Sequence, residues 1–268
     1  MEFKQLDELC KGAIKVIRQT GEFLKEEFGK VGSDEIETKS LNSLVSYVDK
    51  TSEKRLVEGL SALLPESVFL TEEETVQQET GELVWIIDPL DGTTNFLHRI
   101  PVFAISVALQ EKGETILGIV LEVMGEECYH AVKGGGAFLN DKKIKVSSSS
   151  EIGNCLIATG FPYYDFSKES SYFEAFHYFM HHTRGLRRLG AAAVDLAYVA
   201  SGRFDLYFEY SLQAWDLAAG AFLVQEAGGK VSDFEGGSSY LKEGEIIAGN
   251  AAIFDHSFPI IHKAFCGD

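Results

Sequence analysis

A mixed α/β fold is the class the sequence predicts, on three observations. An amphipathic helical pattern opens the chain, apolar runs of strand length that close in acid follow it, and the second half sets helical patterns between short apolar runs. With 268 residues, 45% of them hydrophobic, and with 26 Gly and 5 Pro, the chain is long enough for a substantial core and shows no compositional sign of disorder. It suits one large domain or two closely packed halves.

Over residues 3–28, Phe3, Leu6, Leu9, Cys10, Ala13, Ile14, Ile17, Gly21 and Leu24 fall at three- and four-residue steps, which predicts one apolar stripe on a helix. A second helix is expected over 51–64, capped by Thr51 and stopped by Pro65. The period then changes: "SVFLTEEE" and "ELVWIID" read as buried strands whose ends, at Glu72 and Asp88, emerge at a sheet's edge. Strands over 102–109 and 115–123, joined by "QEKGE", and two more in "AVKGGGAFLNDKKIKV", turning at Asn140 and Asp141, predict an antiparallel meander. The serines at 147–150 mark the expected seam between an N-terminal half, 1–146, and a C-terminal half, 147–268, although four polar residues equally suit a surface loop. Beyond it come a strand over 155–158, a helix over 171–182, a helix over 192–201 ending at Gly202, a strand over 204–208 and a final helix over 215–227. Gly228 and Gly229 suit the left-handed C-cap of that last helix.

The 24 Lys and Arg against 41 Asp and Glu leave a net charge of −17, which opposes binding to nucleic acid or to an anionic membrane surface. Carboxylates also attract cations, although most of this charge is expected to be solvated surface. Cys10, Cys128, Cys155 and Cys266 are widely spaced, form no CxxC or zinc pattern, and read as reduced thiols. The first 28 residues alternate charge with apolar side chains, unlike a secretory leader or a membrane span, so a cytoplasmic protein is expected.

The stretch "WIIDPLDGTTNF", residues 85–96, carries the chemistry. If 83–87 is a strand, Pro89 forces a turn and Gly92, Thr93 and Thr94 begin a helix, whose outward amides and missing Cβ at Gly92 make room for an anion such as phosphate. Asp88 and Asp91 beside a phosphate repel it: at about 4 Å and an effective dielectric near 20, each like-charged pair costs about 4 kcal/mol, so cations must intervene. An oxygen-rich set selects Mg²⁺, whereas zinc prefers His or Cys, of which this stretch holds none and His98 stands two residues beyond it. The alternative is that Asp91 caps the helix and Asp88 makes a turn. Glu72 at one strand end and Asp216 in the first turn of a helix add acid to the same mouth, although Asp216 also suits a helix dipole by itself.

These residues resemble the paired signatures of the inositol monophosphatase family: Asp88-Pro89-Leu90-Asp91-Gly92-Thr93-Thr94-Asn95-Phe96, and Trp215-Asp216 followed by Ala219-Gly220. The resemblance extends to Lys39, Leu44-Val45 and Asp49, to Gly160-Phe161-Pro162 and to "RRLGAAAVDLAYVASGRFDLYFE" over 187–209. It implies a layered α/β/α/β/α sandwich of the inositol monophosphatase and fructose-1,6-bisphosphatase type, usually a homodimer. It further implies that Glu72, Asp88, Asp91, Asp216 and the Leu90 carbonyl hold two or three Mg²⁺ ions, with Asp88 bridging two. Thr93 and Asp49 behind it would position and activate the attacking water together with Glu72. Gly92, Thr93, Gly190, Ala191, Ala192, Glu209 and Asp216 would bind the substrate. Read without the resemblance, Asp49 is a helix-capping acid, Thr93 a hydroxyl at a helix start and Glu209 an acid closing a strand.

The implied reaction is metal-dependent, lithium-sensitive hydrolysis of inositol monophosphate or a similar small polyol or sugar phosphate. The alternatives are the same chemistry on fructose 1,6-bisphosphate, 3'-phosphoadenosine 5'-phosphate or histidinol phosphate, or a phosphate-binding regulator without turnover. Ser43 stands where the family usually has an acid, and Ala191 where a small hydroxyl residue is common; both spare the metal ligands. The pair His181-His182 reads as the surface end of a helix.

Overall fold

A computed structural model describes residues 1–32, 36–40, 43–78, 80–162 and 165–267, and for 36–40, 43 and 44 only the backbone. Helix α1 (Phe3–Glu27) buries Leu6, Leu9, Cys10, Ala13, Ile17 and Leu24 along one stripe. Strands β1 (Ile36–Ser40) and β2 (Ser43–Ser46) form an antiparallel pair that leads into α2 (Tyr47–Leu63). This helix starts four residues before Thr51. Its cap is Ser46, whose hydroxyl accepts from the Val48 amide at 3.2 Å, while Asp49 accepts from the Ser46 amide at 2.8 Å to complete a capping box.

The meander forms a seven-stranded sheet in sequence order: β3 (Val68–Thr71), β4 (Leu83–Asp91), β5 (Ala104–Glu111), β6 (Glu114–Glu122), β7 (Glu127–Val132), β8 (Gly136–Leu139) and β9 (Lys142–Lys143). Within it β3 and β4 are parallel and every other pair is antiparallel. Pro89 does not end β4. The strand continues to Asp91, and the ladder with β5 passes from Asp88↔Ser106 to Asp91↔Ala104, three steps on one strand against two on the other. Pro89 therefore sits in a bulge, where its missing N–H costs no ladder bond. The five-residue helix α3 (Thr93–Leu97) follows.

A second sheet has the order β11 (Gly185–Arg187), β10 (Leu156–Thr159), β12 (Leu206–Tyr210), β14 (Glu245–Gly249), β13 (Lys230–Ser232). Between its strands run α4 (Glu169–His182), α5 (Ala192–Ala200), α6 (Ala214–Glu226) and α7 (Tyr240–Glu243). The helix expected to be last, α6, is followed by the short α7 and by α8 (Ala251–Cys266), which buries Ile253, Phe254, Ser257 and Ile261 and carries Pro259 in its interior. Helices α1 and α2 cover one face of the large sheet, α5 and α6 lie between the sheets, and α4 and α8 cover the outer face of the small one. The layers are thus α/β/α/β/α, with an apolar core in each interlayer. The serines at 147–150 lie between β9 and β10, and Ser147 is pinned there by hydrogen bonds to Asp205 and Asn250 at 2.6 and 2.7 Å.

Candidate active site

Each acid reaches the site by a separate local rule. Parallel pairing sets Thr71 opposite Ile87, and the Glu72 amide donates to the Ile87 carbonyl at 3.3 Å, so Glu72 leaves β3 beside Asp88. In a regular strand residues three apart face opposite sides, but the extra residue of the β4 bulge turns Asp88 and Asp91 into one cleft. Asp216 arrives from α6, where its carboxylate accepts from the Gln213 amide at 2.7 Å. Its favourable place near the helix dipole and its place in the cleft are therefore one arrangement. Asp91 is a cap, but of α5 rather than α3: it accepts from the Ala192 and Ala193 amides at 3.2 and 2.8 Å. Gly92 is the N-cap of α3 at φ 90°, where an added Cβ would come within 3.1 to 3.3 Å of Val102 O, Ala191 Cβ and Gly190 O.

Burial first, and then the charges of Glu72, Asp91 and Asp216, hold the Asp88 carboxyl well above the usual carboxylate range. Burial also raises Asp216 well above it, reinforced by Asp91 and Glu72. Burial pushes Asp91 up to about 6, against the lowering effect of the Ala193, Ala192 and Val194 amides and of Arg188. Four carboxylates line one cleft with Leu90, and with the Leu90 carbonyl they make a hard-oxygen set whose repulsion a divalent cation would relieve and which fits Mg²⁺ better than zinc.

Behind this wall, Thr93 Oγ1 lies 2.9 Å from both Asp49 Oδ1 and the Leu90 carbonyl oxygen. Asp49 is buried and raised by desolvation, while its second oxygen accepts from Ser46. The capping acid and the partner of Thr93 are thus the same residue. Gly190, Ala191, Ala192 and Glu209 line the opposite wall with Gly160 and Arg188. Burial lifts Glu209 to about 7, offset in part by the Tyr207 hydroxyl that donates to it. A Cβ on Gly160 would stand 1.9 to 2.0 Å from that carboxylate.

Arg188 reads along the chain as a solvated surface charge, yet it lines the cleft, and Asp195 is a further acid near it. Asp195 is fully buried, its Oδ1 has no hydrogen-bond partner, and burial with the Glu209 and Asp91 charges raises its carboxyl well above the ordinary range. An acid in the apolar run "AAAVDLAYVA" was the available signal. Asn95 joins the two walls, donating to the Val102 and Leu189 carbonyls at 2.8 Å. The side chains of Lys39, Ser43 and Leu44 lie outside the described residues, while Val45 is buried. His181 and His182 are exposed in the last turn of α4. No helix of the described residues is long and apolar enough to cross a membrane.

A model of the inositol monophosphatase family matches residues 5–264. The chain is 43% identical over 250 residues to the putative Nus factor SuhB of Neisseria meningitidis serogroup B, covering 93% of this chain and 96% of that protein. It is 42% identical over 241 residues to the inositol-1-monophosphatase of Rhizobium meliloti, covering 90% and 91%. The crystal structure of extragenic suppressor protein suhB from Bartonella henselae superposes with a TM-score of 0.89 at 39% identity, covering 93% of this chain and 96% of that one.

Proposed function

Because the chain belongs to the inositol monophosphatase family, we propose that it hydrolyses inositol monophosphate, or a similar small polyol or sugar phosphate, to the alcohol and inorganic phosphate. The observation that carries this reading is the convergence of Glu72, Asp88, Asp91, Asp216 and the Leu90 carbonyl on one cleft. These residues would hold two or three Mg²⁺ ions. Magnesium bound there would neutralise the phosphate, steady the leaving alkoxide and lower the pKa of a bound water.

The chain's own residues then do the following. Thr93 gives its hydroxyl hydrogen to Asp49 or to the Leu90 carbonyl, and its oxygen accepts from the attacking water. As the water passes its proton to the Thr93 oxygen, the Thr93 hydroxyl hydrogen passes to the buried Asp49, whose second oxygen the Ser46 hydroxyl holds. Glu72 faces the same water. The amides of Gly92 and Thr93, which have no acceptor inside α3, receive a phosphate oxygen. Gly190, Ala191 and Ala192 leave room for the polyol, and Glu209, poised near neutrality, hydrogen-bonds its hydroxyls. No covalent intermediate is needed, because water can reach phosphorus directly.

A homodimer is supported by exposed Phe161, Phe166, Phe173 and Met180, which a second copy would cover. Four free thiols, three of them buried, support a cytoplasmic setting, and the net charge of −17 supports a small-molecule substrate over direct nucleic-acid or membrane contact. The Nus factor names carried by relatives favour a second reading, a binding factor that keeps the fold without turnover. Assay of the purified protein decides between them. Phosphate release from inositol 1-phosphate with Mg²⁺, inhibited by Li⁺ and lost in Asp88→Asn, is expected. Turnover of fructose 1,6-bisphosphate, 3'-phosphoadenosine 5'-phosphate or histidinol phosphate instead would move the substrate, and no release from any of the four would sink the enzyme reading.

A further inference from the structure

We propose that Glu235, His262 and Cys266 form a second cation site, separate from the acidic cleft, that takes a borderline divalent ion of the zinc class through one carboxylate, one imidazole and one thiolate. Each of the three offers a donor atom, and these atoms all lie within 4.8 Å of one another. None of the three lines the cleft. Their chemistry differs from that of the cleft: oxygen donors alone suit magnesium, whereas a nitrogen and a sulfur select zinc or cobalt.

The backbone arranges the three for this purpose. His262 and Cys266 are four residues apart on α8, so they share one face of its last turns. Glu235 comes from the turn after β13, which Asp233 holds by accepting from the Gly237 and Ser239 amides at 2.6 and 2.9 Å. Phe234, fully buried, anchors the turn to α8 through its ring contact with Phe265, 4.3 Å between centroids. The Phe234 carbonyl accepts from His262 Nδ1 at 2.9 Å; a carbonyl cannot donate, so in the neutral ring the free lone pair is on Nε2. The imidazole also stacks on Phe258, 5.5 Å between centroids, which limits its rotation.

Tetrahedral zinc with nitrogen and sulfur donors at about 2.0 and 2.3 Å places those donors roughly 3.5 Å apart. The cluster therefore closes by about an ångström on the ion, and the exposed Glu235 side chain is free to supply most of that movement. Without an ion, burial first and then the hydrogen bond and charge of Glu235 hold the Cys266 thiol up to about 11. On binding, the S–H bond breaks, the thiolate ligates the ion and one proton leaves to solvent. The thiol gives up its hydrogen bond to the Phe234 carbonyl, 3.7 Å from Sγ, and Glu235, whose charge favours the proton on sulfur, becomes a co-ligand. An ion here ties the end of α8 to the 233–237 turn.

Cobalt(II) tests the site on the full chain, because a thiolate–cobalt charge-transfer band in the near ultraviolet reports sulfur ligation and the acidic cleft, all oxygen, is silent. The expected result is one equivalent of Co²⁺ giving the band and Zn²⁺ bleaching it. Cys266→Ser should abolish it, Glu235→Gln and His262→Ala should each weaken the Co²⁺ affinity at least tenfold, and Asp88→Asn should leave it unchanged. No band with excess Co²⁺, a band that survives Cys266→Ser, or a band lost in Asp88→Asn overturns the proposal. Since Cys266 and Glu235 are exposed, their substitution is compatible with folding, and circular dichroism checks this for each variant.

Discussion

Thr93 has one hydroxyl hydrogen and two acceptors at 2.9 Å, Asp49 Oδ1 and the Leu90 carbonyl, so its orientation is set from behind and its lone pair is left for the cleft. Removing it should affect the reaction more than substrate binding. Thr93→Ala is expected to lower kcat by about 10²- to 10⁴-fold, the range for a lost proton-transfer group, with KM changed by only a few-fold. Steady-state kinetics on inositol 1-phosphate checks this, and an equal rise in KM with kcat unchanged would assign Thr93 to binding. The identities of Thr93, Asp88 and Asp91 were legible because three chemistry-bearing residues crowd one short stretch. The part played by Asp91 at α5 was not, since its amide donors lie about a hundred residues along the chain. Arg188 was illegible for the same reason: an arginine in a polar stretch reads as surface until the cleft forms around it.

The bulge in β4 decides the geometry of the acids, and the start of α2 decides that of Asp49. Ser46 caps α2 and also donates its hydroxyl to Asp49 at 2.8 Å, so one side chain serves both the helix and the site. Ser46→Ala should destabilise the protein by about 1 kcal/mol, the usual cost of a lost cap, and lower kcat as well because Asp49 loses a donor. Urea denaturation with kinetics on the same sample measures both; lower stability with full activity would reduce Ser46 to a cap alone. A serine followed three residues later by aspartate is the local signal for this start, four residues ahead of the expected cap Thr51. Pro89 read as a turn because a bulge is a property of two paired strands, and its partner β5 is not visible in a local window. Helix α8 escaped notice because Pro259 interrupts its apolar stripe, yet packing on the small sheet and α4 holds the helix through it.

Across the molecule, folding gathers the acids of the cleft into a mutual repulsion that a bound cation would relieve. Asp91 titrates near its ordinary value in the unfolded chain and at about 6 in the fold, and Glu209 moves likewise to about 7. Between those values the native state holds more protons than the unfolded state, so the stability these groups contribute is complete at low pH and lost as pH rises from about 4 through 7. Asp88 and Asp216, raised further, extend the loss upward. In chelator, Tm is therefore expected to carry a falling component over this window that Asp88→Asn reduces. Mg²⁺ should restore stability increasingly as pH rises, by about 2.7 kcal/mol at a hundredfold excess over its Kd. Calorimetry with and without Mg²⁺ at pH 5 and 8 checks this. An equal Mg²⁺ effect at both values would mean that protons and metal do not compete in the cleft.

The sequence by itself determined the residue types, the helical and strand periods and the resemblance carried by 88–96 and 215–220, because these are encoded in neighbours a few positions apart. It therefore reached the family with its layered class, the meander and the acids that line the cleft. Tertiary structure alone decided which acids share a space: parallel pairing sets Glu72 beside Asp88, the bulge turns Asp91 to the same side, and α6 packing against the large sheet delivers Asp216. It also brought Cys266, read along the chain as an isolated thiol, against His262 and Glu235. The reason is physical. Coulomb interactions and metal coordination depend on distances of a few ångströms in space, and for residues far apart in the chain those distances exist only once the sheets have paired and the layers have packed.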